Sequence, residues 1–183
     1  MLHQADDNEL VRLFKQHIDR EKAFTTIVKR YQEKVYWQIR RLVVSHDDAD
    51  DVMQQVFIKV WNGLDHFRED AKLFTWLYRI AVNESLSFLE QQKKRTTVSF
   101  EDISASVEQK LIQEKGFDEK EAMWKLQKAI QLLPEKQRAV FNLRYFEEMP
   151  YEQMSEVLET SVGALKASYH HAVKKIEDYI LHH

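Results

Sequence analysis

No cysteine occurs among the 183 residues, and glycine and proline number only three and two. The first absence excludes disulfides and thiolate metal sites and suits a reducing cytosol. So few turn-makers leave long helical periods running through most of the chain, which predicts an all-α fold. No apolar run reaches the roughly eighteen residues a membrane helix needs, and no signal peptide is visible, so a cytoplasmic protein without membrane insertion is expected. The glycine-rich loop that cradles phosphate in nucleotide enzymes is absent, as are a nucleophilic triad and a Walker-type motif. No enzyme activity and no cofactor are expected.

A strong excess of either charge is also lacking. The net charge is -3, which does not favour tight unaided binding to DNA. Residues 1–95 carry 16 basic and 15 acidic residues, and residues 96–183 carry 11 and 15. Any nucleic-acid contact must therefore come from local basic faces, or through a larger partner that supplies most of the electrostatics.

What is present is periodic. A lead-in at Asp6–His17 places Leu10, Leu13 and Phe14 on one side. A longer helix over Glu21–Val44 turns Phe24, Ile27, Tyr31, Val35, Ile39 and Leu42 inward. Ser45 and Asp47 are both candidate caps for a third helix reaching about Asn62, whose first-turn carboxylates meet the positive end of the dipole. Its outer face carries Asp47, Asp48, Asp51, Gln54, Gln55 and Ile58, an isoleucine that solvent alone does not explain. Gly63–Lys72 reads as a loop, and Leu73 to about Gln92 is helical again, with Trp76 flanked by Lys72, Arg79 and Asn83. A basic and amide stripe beside aromatic rings suits single-stranded DNA, although core packing of Trp76 and Phe67 fits the same residues.

From Gln91 to Gly116 the chain turns polar, with a basic run at Lys93–Arg95, an extended-looking Thr96–Ser99 and at most a short helix near Val107–Ile112. This predicts a linker at 93–117 between two small helical domains at 1–92 and 118–183. In the second domain Ala122, Leu126, Ala129, Ile130 and Leu133 face inward, and Pro134 opens the next helix where a missing amide does no harm. Ala139, Val140, Leu143 and Tyr145 or Phe146 pack inward from it.

Tyr151–Leu158 then forms a short helix, Thr160-Ser161 supplies a cap, and a new helix starts at Val162: a helix-turn-helix. Val162, Leu165, Tyr169, Ala172, Val173, Ile176 and Ile180 make its buried stripe. Lys166, Ser168, His170, His171, Lys174 and Lys175 stay outside it. Gly163 costs helix stability and needs a reason, such as close approach of a phosphate to the free amides of the helix start. An ordinary helical hairpin with a solvated face fits the periodicity equally well; the cap, the glycine and the basic tail favour DNA. The carboxylates of Asp47 to Asp51 invite a metal reading, but no second cluster of matching period stands opposite them. His170 and His171 are adjacent and point to different sides of a helix, so they do not chelate together.

The segments DDADDVMQQVFIKVW, WLYRIAVNESLSFL and LPEKQRAVFNLRYFEEMPYEQMSEVLETSVGALKASYHHAVKKI occur in the order and spacing of a known family. Over about residues 10–95 and 120–180 the chain resembles an extracytoplasmic-function (group IV) sigma factor of bacterial RNA polymerase, in the sigma-70 superfamily. The resemblance implies that residues 1–92 form sigma region 2 and that 118–183 form sigma region 4. It implies core RNA polymerase, through its clamp coiled coil and flap, and promoter DNA as partners, and it admits an anti-sigma protein. Asp47, Asp48, Asp51, Gln54, Gln55 and Ile58 would dock on the clamp. Phe67 and Arg68 would capture a flipped base of the −10 element, with Lys72, Trp76, Arg79 and Asn83 holding the adjoining strand. Ser161, Gly163, Lys166, Ser168, His170, His171 and Lys174 would read the −35 element, with Arg138 and Arg144 as backbone contacts. Ser168 and His171 stand where members of the family often carry arginine. A stand-alone helix-turn-helix regulator and a metal-dependent hydrolase built on Asp47–Asp51 are the competing readings.

Overall fold

The computed structural model describes residues 4–68, 70–95, 100–113 and 121–183. Within them every regular element is helical. Helix α1 (Asp7–Lys15) is opened by Asp6, whose carboxylate accepts from Glu9 N at 2.8 Å. Helix α2 (Arg20–Val43) is the longest, and α3 (His46–Gly63) begins at the Ser45 cap, where the hydroxyl accepts from Asp48 N at 3.2 Å. A 3-10 turn over Leu64–His66 leads to α4 (Leu73–Arg95). These four helices enclose Leu10, Phe14, Ile27, Val35, Val56 and Leu77, the inward positions of each helical period.

Between α2 and α3 the backbone tightens. Val44 has φ 70° and ψ −51°, and Ser45 N donates to Val43 O at 2.9 Å, a three-residue turn. A β-branched residue in this region costs on the order of 1–3 kcal/mol. The surrounding packing must hold it, and Val44 is buried.

The expected linker contains more structure than its composition suggests. Helix α5 spans Phe100–Gln113, longer than the short helix anticipated near Val107, and packs on α6 (Glu121–Gln131). Leu111 is buried, and Lys128 Nζ lies 2.9 Å from Glu108 Oε2. The extended run expected at Thr96–Ser99 and the domain start at Asp118 lie outside the described residues.

Helices α6, α7 (Glu135–Tyr145), α8 (Tyr151–Leu158) and α9 (Val162–His182) form the second helical unit. Pro134 stands one residue ahead of the first helical position, and its carbonyl accepts from Arg138 N at 2.9 Å. Ala129, Ile130, Leu133, Phe141, Ala172 and Ile176 form a small core of this unit. Two expectations fail at its surface. Ala122 is exposed, and Ile180, expected in the buried stripe of α9, is 40 % exposed. Of Tyr145 and Phe146 it is Phe146 that packs against the core, while Tyr145 is 48 % exposed with its ring stacked on Phe141.

The two units are not held apart. Ala139, Val140, Leu143, Met149, Met154 and Val157 belong to the same continuous apolar cluster as the helices of the first unit. Polar groups cross the seam as well. Arg41 Nη1 donates to Glu147 Oε1 at 2.7 Å, Tyr78 Oη donates to Glu147 Oε2 at 3.0 Å, and Gln153 Nε2 donates to Thr75 Oγ1 at 2.9 Å. The most deeply set of these is Arg138. It donates from Nη1 to Leu42 O at 2.8 Å and Gln131 Oε1 at 2.7 Å, and from Nη2 to Gln131 O at 2.8 Å and Leu133 O at 3.2 Å. Its burial lowers the guanidinium pKa to about 10, still well above neutrality. Arg138 is therefore not a DNA-backbone contact in this arrangement: its side chain points into the seam and closes the carbonyl end of α2.

Replacing Arg138 by Leu strands those buried acceptors without donors. Urea unfolding is expected to show a loss of roughly 2–4 kcal/mol. An unchanged midpoint would mean that the guanidinium does not tie the units together.

Candidate nucleic-acid interface

Three surfaces carry the candidate residues. On α3, Ala49, Val52, Val56 and Val60 are buried, which forces the opposite side outward. Asp47, Asp51, Gln54 and Gln55 are exposed, Asp48 is half-buried, and Ile58 is 52 % exposed. The structure thus brings all six residues to one side of one helix. A shallow groove runs beside them toward α4, with Glu84, Ser87 and Phe88 on its far side. Lys59 pairs with Glu84 across it.

The second surface is built around Gly63. A β-carbon placed there would lie 3.1 Å from Trp76 Cζ2, so the absent side chain is what lets the indole lie against the end of α3. Phe67 packs on the same indole, with ring centroids 5.0 Å apart, and is only 5 % exposed. Its carbonyl accepts from Lys15 Nζ at 2.6 Å. The expectation that Phe67 meets a base is therefore corrected: its ring forms the floor beneath Trp76.

Arg68, Trp76 and Arg79 line a cleft of about 680 Å³ above that floor, together with His66 and Thr75. Lys72 and Asn83 are exposed but outside the lining. The opposite wall comes from α8, through Ser155, Glu156 and Glu159, and Arg79 Nη1 lies 3.5 Å from Glu159 Oε1. Both ends of that pair are solvent-exposed, so the contact is weak. Nothing in the local sequence of α8 signals that its acids sit here, because only the docking of the two units brings them over the cleft.

The third surface is α9. Ser161 Oγ accepts from Ala164 N at 3.3 Å, the cap that restarts the chain after Glu159 turns through φ 50°. A β-carbon at Gly163 would meet nothing within 4 Å, so no protein contact requires the glycine. Lys166, His170 and Lys174 follow at steps of four on the exposed side, with His171 and Lys175 beside them, while Ser168 is half-buried. Lys166 Nζ rests 5.7 Å from the Tyr151 ring. Tyr169 stacks on Phe141 with centroids 5.8 Å apart and planes at 17°, and burial raises its hydroxyl pKa. It is a packing residue. Arg144 donates to Met149 O at 3.2 Å and lies over Tyr151, which ties it to the turn before α8.

A family model for sigma-70 region 2 matches residues 27–95, and one for sigma-70 region 4 matches residues 123–176. The sigma-H factor of Pseudomonas aeruginosa is 33 % identical over 97 % of this chain and 95 % of its own length. The ECF sigma-E factor of Escherichia coli K12 is 31 % identical over 87 % of each. The chain belongs to the extracytoplasmic-function branch of the sigma-70 family. It is an RNA polymerase sigma factor and directs transcription initiation, and the stand-alone regulator is not favoured. Solved structures share the fold. The sigma factor RpoE of Bartonella quintana, crystallised with the anti-sigma factor NepR, superposes with a TM-score of 0.68 at 20 % identity, covering 88 % of this chain and 98 % of that one. CnrH, in complex with the cytosolic domain of CnrY, gives 0.68 at 21 % identity over 95 % and 96 %. Among the described residues no helix is long and apolar enough to cross a membrane.

Gly63→Ala is expected to displace the Trp76 indole by a few tenths of an ångström and to lower stability by about 1 kcal/mol. The Trp76 indole N–H resonance and thermal unfolding check this; an unmoved resonance would show that the indole is not seated on Gly63.

Proposed function

We propose that the two helical units divide promoter recognition. Residues 1–92 engage core polymerase and the −10 element, 93–117 connect the units, and 118–183 engage the −35 element. The observation that carries the reading is the exposed side of α3, where Ile58 stands amid Asp47, Asp51, Gln54 and Gln55. A small apolar centre ringed by acids and amides suits a basic protein surface such as the polymerase clamp coiled coil. An anti-sigma protein covering either face would switch the factor off. The chain contributes recognition and no catalysis of its own, and it works in the cytoplasm beside the enzyme it guides.

On the DNA side, Arg68, Trp76 and Arg79 supply cations and an aromatic face to an unpaired strand, with Lys72 and Asn83 flanking. Phe67 supports Trp76 from below. On α9, Gly163, Lys166 and Lys174 meet phosphates, the Ser161 cap fixes the helix start, and Ser168, His170 and His171 face base edges. In the docked arrangement Glu156 and Glu159 look across the cleft that a strand would occupy, and their charge repels phosphate. Productive −10 binding therefore requires α8 to lift away, and polymerase, by taking up both units, is the agent that separates them.

Ile58→Ala and Asp51→Lys are each expected to weaken holoenzyme assembly about tenfold or more with the fold intact. Fluorescence anisotropy with core polymerase and circular dichroism measure the two, and undiminished assembly by both variants would remove α3 from the interface. Lys166→Ala should lower promoter affinity of the holoenzyme about equally across −35 sequences and reduce the salt slope by about one. A loss confined to one base position would make Lys166 a reader of sequence.

A further inference from the structure

Two cations that do not line the Trp76 cleft grip the loop that carries Arg68 into it. Lys15, in the last turn of α1, donates from Nζ to Phe67 O at 2.6 Å. Arg20, the first residue of α2, donates from Nη2 to Asp65 Oδ2 at 2.6 Å and from Nη1 to Asp65 Oδ1 at 3.2 Å, a two-pronged hold. Arg20 is itself fixed. Its guanidinium lies 4.0 Å from the centroid of the Phe14 ring and 5.1 Å from that of Trp61, and those two rings meet edge to face. Stacking of this kind keeps the planar fork in one orientation, so little freedom is lost when it takes Asp65.

These contacts fall where the loop has least structure of its own. Leu64–His66 is a single 3-10 turn, closed by Phe67 N to Leu64 O at a long 3.3 Å. Leu64 and Phe67 are buried and anchor its underside, which leaves the direction of the next peptide open. That peptide is planar and its C=O and N–H point opposite ways. Holding the Phe67 carbonyl on Lys15 therefore turns the Arg68 N–H, and with it the start of the Arg68 side chain, away from α1. Asp65 keeps the preceding turn from sliding. Both side chains of the Arg20–Asp65 pair are partly exposed, at 22 % and 34 %, and a pair of that kind adds little to stability. What it adds is order in the loop.

We propose that Lys15 and Arg20 are positioning residues for the −10 strand: they meet no DNA themselves, and they hold the loop over residues 64–68 in the geometry in which Arg68 meets an unpaired strand beside Trp76. The inference rests on the reading of the cleft as the −10 site. A loop ordered in advance does not have to be ordered by the strand, and the affinity of the strand is higher by that amount. Charge makes the idea separable from simple attraction. Asp65→Ala removes an acid two residues and a peptide away from Arg68, so attraction to phosphate alone gives tighter strand binding, whereas loss of positioning gives weaker. Arg20→Lys keeps the charge but loses the fork and the flat stacking.

The test uses holoenzyme, with fluorescence anisotropy of a labelled single strand that wild-type holoenzyme selects from a pool randomised over the −10 positions. Arg20→Lys, Asp65→Ala and Lys15→Met are each expected to bind it about fivefold or more weakly, with holoenzyme assembly and affinity for a −35 duplex unchanged. Lys15→Arg, which retains a donor for Phe67 O, restores the affinity. Arg68→Ala reduces the salt slope by about 0.7, as loss of a single-strand phosphate contact does, whereas Arg20→Lys leaves the slope alone. In the Arg68→Ala background Arg20→Lys adds no further loss, because the group it positions is gone. Where Asp65→Ala does not fold, the charge-conserving Arg20→Lys decides. Strand affinity unchanged in Arg20→Lys, whatever its unfolding temperature, would show a structural tie only and overturn the proposal, as would tighter binding by Asp65→Ala. Undiminished strand affinity in Arg68→Ala would be a different failure: it removes the cleft from −10 binding, and the positioning role falls with that reading.

Discussion

The guanidinium of Arg138, held between the carbonyl end of α2 and the turn that follows α6, is the contact on which the arrangement of this molecule turns. The last carbonyls of a helix have no partners of their own and must be met by water, by a local turn or by another group. Here the donor comes from a different helical unit, and the apolar seam around it removes water. A desolvated cation is expensive on its own, and its four acceptors from Leu42, Gln131 and Leu133 make it tolerable. The same closure steadies the strained turn at Val44 and hence the direction in which α3 leaves α2. Through that turn the exposed side of α3 and the seam between the units are mechanically one problem.

Much of this was legible in the chain before any coordinates. The boundaries of α2, α3, α4 and α9 follow from apolar spacing and from Ser45 and Ser161, because caps and periods are local properties. Apart from Asp48 and Ser168, which are half-buried, the residues expected outside on α3 and α9 are exposed, since a helix with one buried side has little choice about the other. The family resemblance rested on three such segments, and the family models and relatives agree with it.

What could not be read was whatever depends on docking. Arg138 looked like a surface arginine in an amphipathic helix, and only the approach of α2 turns it into a buried tie. Phe67 admits either a base contact or core packing because its loop has no period; Trp76 folded back over Gly63 decides for packing. Glu156 and Glu159 gave no hint of facing a cleft. Each of these is a property of two elements brought together by long-range packing, which local pattern does not encode.

Under the proposed reading, the uneven accessibility of the three surfaces gives the molecule a built-in order of events. The side of α3 and the outer side of α9 are open to a visitor from the start, whereas the aromatic cleft at Trp76 has an acidic shutter across it. Stray single strands elsewhere in the cell meet that shutter and pass on, so the factor is not lost to titration by unrelated nucleic acid. Its capacity to grip an unpaired strand emerges only in company, which makes the enzyme it serves the gatekeeper of its own specificity.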